Sequence, residues 1–364
     1  MKTRSIIYST LCSLMLGMGF ASCSDDINGD EQPIIDPVDY PAYILNEGLW
    51  GYNNANISRF FPTSTTVSVE NDFYKKVNGQ LMGDVANALI EDNNNLYVLL
   101  NGSKYVARLN ELTQEQARYT FPENEGEPRR MDVEGNYIYV TQGGGQVSKI
   151  NIKDMSLAGT FNGGDYLEGI VEKDGKLYVV NSYKRSYDYN QEVFVIDAKT
   201  MALEKTLQVV LNPTKMHEID NKIYLISAGN YADVPGALQV YDAEKGTFTP
   251  ILNDVTKITQ GANGLIYGVC STYDSNWQST NSFFTYNPKT NAVSKESFLQ
   301  DAPSSFSTDA IHLLEVDDNN GYIYVGTSDN VENTGTIYQF DKSGKFIQSF
   351  DSGGNIPSEI VFMD

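Results

Sequence analysis

The chain has 364 residues, of which 47 are acidic and 26 basic, for a net charge of −21. That balance argues against a nucleic-acid partner, whose binding depends on Lys and Arg neutralising phosphates, and it favours solubility outside the cell. Three cysteines and two histidines are too few for a disulfide framework or a zinc set.

The N-terminus opens with "MKTR" and continues as "SIIYSTLCSLMLGMGF", an apolar run short for a membrane span. "FASC" at 20–23 resembles a bacterial lipobox, and the "SDD" that follows resembles the surface-export signal of Bacteroidetes lipoproteins. The resemblance implies that residues 1–22 are a lipoprotein signal peptide and that Cys23 carries lipid. It places the protein on the outer membrane, exposed at the cell surface and held only by its lipid anchor. An uncleaved anchor or a chance cysteine is the alternative. Residues 23–40 are acidic and proline-bearing and read as a flexible tether. Their spacing does not fit an EF-hand, which needs a bidentate Glu at the twelfth position. Cys12 leaves with the signal, and Cys270 in "LIYGVCSTY" reads as a small buried thiol.

From residue 41 onward the chain repeats. "AYILNEG", "NNLYVLLN", "NYIYVTQG", "GKLYVVNS", "NKIYLISA", "GLIYGVCS" and "GYIYVGTS" carry the marker tyrosines Tyr43, Tyr97, Tyr139, Tyr178, Tyr224, Tyr267 and Tyr324. Their spacings of 54, 42, 39, 46, 43 and 57 residues centre near the roughly 40–45 residues of a four-stranded propeller blade. After each marker comes strand, tight turn, strand, with Asp or Asn opening the turn, as in "VFVIDAKTMALEKTL". Before it lies another strand, as in "LEGIVEK". These four are strands A to D from the centre outward. One blade is split: Tyr43 has no A strand before it, and "IPSEIVFMD" at the C-terminus has no strand after it. The expectation is an all-β, seven-bladed propeller over 41–364, four antiparallel strands per blade, closed by residues 355–363.

In such a ring the A–B and C–D turns share one face, and the B–C and D–A loops share the other. The first set is short throughout, as in "VEGN" and "DKSGK". The second is long and aromatic: residues 46–56, 181–193, 227–237 and 270–282 for B–C, and 74–84, 122–130, 162–169 and 300–309 for D–A. A hairpin needs only about two to five linking residues, so "NSYKRSYDYNQEV" at 181–193 is longer than the fold requires. Loops held by a rigid scaffold concentrate binding residues, and Tyr and Trp supply rigid contact area with a hydrogen-bonding tip. Trp50, Tyr52, Tyr105, Arg130, Gln142, Tyr166, Tyr183, Tyr187, Tyr231 and Trp277 are the candidate ligand-binding set. Aromatics that only staple the loops together are the alternative.

Signals for catalysis are weak. His217 and His312 fall within A strands and read as channel-lining residues, with a general base or metal ligand as the alternative. Arg129 and Arg130 precede an A strand and could meet an anion or simply pair with this acidic chain. Glu168, Glu218 and Asp309 could form a carboxylate ring, though no closed metal set is evident. No G-x-S-x-G, H-E-x-x-H or P-loop is present. "QGGGQ" at 142–146 is a turn with no helix after it, hence no phosphate cradle. No catalysis and no resident cofactor are expected.

"YIYVTQGGGQVSKINIKDMSLAGTF" and "KLYVVNS…VFVIDAKTMALEKTL" resemble the YVTN-type propeller repeat of bacterial surface and periplasmic proteins, over nearly all of 42–364. With the lipobox and export signal, the architecture resembles the surface lipoproteins of gut Bacteroidetes that capture cobalamin (vitamin B12). That resemblance implies a corrinoid ligand and an outer-membrane TonB-dependent transporter as partner. A glycan-binding surface lipoprotein, a lactonase- or lyase-like propeller, and a scaffold subunit of a transporter that binds no small molecule are the alternatives.

Overall fold

The computed structural model describes residues 40–184, 186, 188–274, 276, 278–328 and 333–363. The signal, lipidation and tether readings at 1–39, Cys23 included, lie outside them, as do Tyr187 and Trp277.

Seven antiparallel sheets form the seven blades. Blade 2 shows the pattern: Ala86–Asp92 (A), Asn95–Leu100 (B), Tyr105–Asn110 (C) and Glu115–Thr120 (D). The A strands of blades 3 to 7 are Pro128–Glu134, Tyr166–Lys173, Pro213–Ile219, Val255–Gln260 and Ile311–Val316. Blade 1 is the split one. Its B strand Ala42–Asn46 pairs with C strand Asn56–Phe60 on one side and with C-terminal Pro357–Phe362 on the other. Its fourth strand is reduced to a single bridge between Arg59 and Glu70, so this sheet counts three strands where the others count four.

The marker tyrosines explain why the period persists. All seven are buried, and each joins the apolar cluster shared with the following blade, from Tyr43 against Leu89 and Leu96 to Tyr324 against Ala42 and Ile44. The core is thus seven small inter-blade clusters, one per interface, each stabilised by burying side chains worth about 1.5–3 kcal/mol apiece. The turn-opening Asp and Asn also serve one purpose. In blades 2 to 7 the side-chain oxygens of Asn110, Asn151, Asp197, Asp242, Asn287 and Asp341 accept the N–H two residues on, at 2.8–3.1 Å, the Asx geometry that lets these residues initiate turns.

Four loop expectations are corrected. Residues 74–84 contain most of a short helix, Phe73–Asn78, and residues 300–309 contain a 3-10 turn, Ser304–Ser307. The stretch 181–193 is largely strand: B strand Lys176–Tyr183 and C strand Tyr189–Asp197 stay paired up to Tyr183 opposite Tyr189. Blade 6 does the same, with Tyr273 opposite Ser279. In both blades the B and C strands therefore remain paired well into the stretch read as loop. Tyr40, assigned to the tether, is anchored: its hydroxyl donates to Asp317 and accepts from Asn320 at 2.8 Å, on the opposite face.

Candidate ligand-binding face

The decorated face is held by a recurring latch. The carbonyl of the residue just before an A strand accepts an N–H from the last residues of a B strand or just beyond it: Val85 from Asn101 (2.7 Å), Glu127 from Gly143 (2.9 Å), Asn212 from Ala228 (2.7 Å), Asp254 from Ser271 (2.9 Å) and Ile356 from Glu47 (3.0 Å). Pairing of these buried groups fixes loop position. Val85, Asn212, Asp254 and Ile356 adopt left-handed backbone angles (φ 45 to 60). Asn and Asp tolerate that region; a β-branched residue there is strained. Val85 and Ile356 are the β-branched pair, and both line a cavity of about 460 Å³ at the channel mouth.

Trp50, Asn87, Arg130 and Tyr166 share that cavity. Trp50 stands 64% exposed on a loop whose Gly51 N–H donates to the Asp84 carboxylate at 2.9 Å. From Tyr166 a row of rings crosses blade 4. Tyr166, Tyr183 and Tyr189 occupy one cross-strand rung, with centroids 5.7 and 5.5 Å apart, and Tyr231 of blade 5 continues the row at 6.5 Å. Such aromatic pairs contribute about 0.5–1.5 kcal/mol each beyond burial. Burial raises the hydroxyl pKa values of Tyr166, Tyr183 and Tyr231, so they remain hydrogen-bond donors at any physiological pH. Gly143 accounts for part of the glycine-rich turn: a Cβ there would meet the Tyr166 ring at 2.7 Å.

The structure brings together Trp50, Arg130, Tyr166, Tyr183 and Tyr231 of the expected set. Tyr52 stands beside Trp50, 72% exposed. Tyr105 and Gln142 are corrections. Tyr105 is buried, its hydroxyl donating to the Met82 carbonyl and its ring beneath Arg118 at 4.0 Å. Gln142 is fully buried and bonded to Glu125, Gly126 and Ser148. Both sit at strand ends, where alternation turns the side chain inward. Tyr189 and Tyr273 were missed; their signal was the strand-like alternation within the two long hairpins.

The catalytic candidates are occupied otherwise. Glu168 pairs with Arg129 at 2.8 Å and Glu218 with Lys173 at 3.0 Å, and no group of three His, Cys, Asp or Glu among the described residues could hold a metal ion. Burial holds His217 and His312 neutral, with pKa values lowered to about 3 and about 4. Burial likewise raises Cys270 to about 11, leaving a half-buried, unreactive thiol.

Residues 40–224, just over half of the chain, match a family model described as a domain of unknown function (DUF5074). The chain belongs to this family. A search of curated proteins returns no match. Among solved structures, this DUF5074 member is similar to a quinonprotein alcohol dehydrogenase-like protein from Bacteroides thetaiotaomicron. The two are 14% identical with a TM-score of 0.62, over 89% of this chain and 78% of that one. It is also similar to hydrazine synthase from Kuenenia stuttgartiensis (15%, TM-score 0.55, covering 69% and 74%). A streptogramin B lyase matches at 10% identity and TM-score 0.53, covering 73% and 82%. At these identities the likeness is one of fold.

Proposed function

We propose that the protein is a non-catalytic binding module that captures a corrinoid, cobalamin in the first instance, at the cell surface. In this reading it passes the ligand to an outer-membrane TonB-dependent transporter, and the chain is anchored through lipid on Cys23. The observation that carries the reading is the tyrosine row, which runs from the cavity at the channel mouth across blade 4 to Tyr231. A broad ligand fringed with amides suits a wide aromatic wall whose hydroxyls donate and whose backbone accepts. The cobalt would arrive with the ligand, so no resident cofactor is required. Tyr40 is fixed on the opposite face, so a lipid tether joined there would leave the bowl open.

Titrating the purified protein calorimetrically with cyanocobalamin tests this. Tight one-to-one binding, weakened by Tyr183→Ala and Trp50→Ala, is the expected result. Absence of heat and of any melting-temperature shift would reject the corrinoid. The exposed rings of Trp50 and Tyr52 would then direct a screen toward oligosaccharides.

A further inference from the structure

Just inside the bowl, three A strands carry a cation at one level. Each strand is bulged near its upper end, and Arg130, Lys215 and Lys257 lie two residues beyond Pro128, Pro213 and Val255 respectively. Blade 4, between the first two, has Gly169 at this level, where a Cβ would meet the Met216 nitrogen at 2.7 Å. It therefore sends no side chain between Arg130 and Lys215. All three cations are only partly buried along the channel wall.

Their partners are poor. Lys215 Nζ reaches the Thr256 carbonyl at 3.3 Å, and Arg130 donates to the Asn87 carbonyl. Among the described residues none of the three is in an ion pair. The carboxylates that face the same space are Glu47, Glu315 and Glu359. Glu359 is taken by the Leu89 N–H at 2.5 Å and Glu315 by the Thr259 hydroxyl at 3.3 Å. Burial raises Glu315 to about 8 and Glu359 to about 7, helped by repulsion from Glu359 on the first and from Glu47 on the second; in turn the Lys257 charge and burial lower Lys215, and burial lowers Lys257, with Glu47 acting on both. Lys215 and Lys257 adjoin each other, and His217 lies in the field of all three cations. Its Nε2 is buried with no partner. His312 lies near both lysines. Like charges gathered at one level repel unless an anion joins them.

We propose that this part of the channel is an anion site, in which Lys215, Lys257 and Arg130 gather the oxygens of one small oxyanion, a carboxylate or a phosphate, and His217 Nε2 adds a hydrogen bond. Charge-assisted bonds of this kind are roughly twice as strong as neutral ones. Screening over about 8 Å at physiological salt separates the site from the acidic exterior. Arg130 lines the cavity above, so the anion enters from the bowl. The site does not depend on the corrinoid reading. The same chemistry serves a free anion or the acidic end of a larger molecule seated in the bowl.

Calorimetry on the full-length protein with inorganic phosphate, succinate and ribose 5-phosphate tests the assignment. Saturable one-to-one binding of at least one probe is expected, weakened about tenfold or more by Lys215→Met and by Lys257→Met. A free-anion site leaves phosphate or succinate binding unchanged in Trp50→Ala, whereas an anion carried on a larger body binds more weakly in that variant. No saturable heat with any probe, or equal affinity in folded lysine variants, overturns the site. Should the variants not fold, wild-type melting decides. A saturating rise in Tm in phosphate or succinate over chloride at equal ionic strength supports the site, and identical melting in all three refutes it.

Discussion

Arg129 and Glu168 join blade 3 to blade 4 at the lip of the channel. Nε and Nη2 of the guanidinium both donate to Oε1, at 3.0 and 2.8 Å, with the Tyr166 ring 5.4 Å from the guanidinium carbon. The carboxylate side is 10% exposed and the arginine 26%, so removing the arginine strands a largely desolvated charge. Arg129→Met is expected to cost about 2 kcal/mol, read from denaturant midpoints. In a double-mutant cycle with Glu168→Gln, the coupling is expected to exceed roughly 1 kcal/mol. Simple additivity would show that the pair contributes nothing.

Val85 carries a different trade. Its left-handed backbone angle (φ 45) is one that Asn212 and Asp254 adopt at the matching position in blades 5 and 6. A β-branched residue there stores on the order of 1–3 kcal/mol of strain. Val85→Asn should therefore raise stability by about 1 kcal/mol and, by replacing an apolar wall of the cavity, weaken ligand binding in the titration. Stabilisation without loss of affinity would mean that Val85 is tolerated and not used.

How much of this is legible in the chain depends on whether a residue repeats its task. Tyr97, Tyr139 and Tyr178 each fill the next interface, so their period survives and reveals the ring. Pro357–Phe362 closes it because a lone A strand and a lone B strand each lack what the other supplies. The bowl has no such period. Tyr105 and Tyr166 look alike in sequence, yet Tyr105 opens a C strand in regular register and packs into an interface, whereas Tyr166 opens an A strand beside its bulge and lines the cavity. Lys215 and Lys257 are harder still: within "TKM" and "TKI" they read as ordinary solvated strand positions, and only closing the ring brings them together.

Buried ionisable groups in the channel predict opposite pH dependences for two variants. The folded-state pKa of His217 is lowered to about 3, against about 6.5 when unfolded. Below pH 6.5 the unfolded chain takes up a proton that the folded one refuses, so wild type should lose stability relative to His217→Gln as pH falls from 6.5 toward 3. Glu315 is raised to about 8, against about 4.3 when unfolded. Wild type should lose stability relative to Glu315→Gln as pH rises from about 4.5 to 8. Denaturation of both variants across that range reads the two slopes; parallel curves for wild type and a variant would mean that the residue is not buried as described.

Ring closure is reinforced on the opposite face by Tyr40, whose hydroxyl donates to Asp317 at the turn following the A strand of blade 7. Asp317 is fully buried, and desolvation raises its pKa to about 6 even though the tyrosine hydrogen bond pulls it down. Tyr40→Phe keeps the ring but removes the donor, leaving the carboxyl to the Asn319 N–H at 3.0 Å. The expected cost is about 1–3 kcal/mol, larger at pH 8 than at pH 5. The hydroxyl favours the ionised carboxylate, and the carboxyl is mostly protonated in the more acidic buffer. Because Tyr40 joins blade 7 to the split blade, the loss should also speed hydrogen exchange in Ala42–Asn46 and Ile323–Thr327 before other strands. Uniform acceleration in every blade would instead mean that the ring opens as one unit, with no weak seam where its two ends meet.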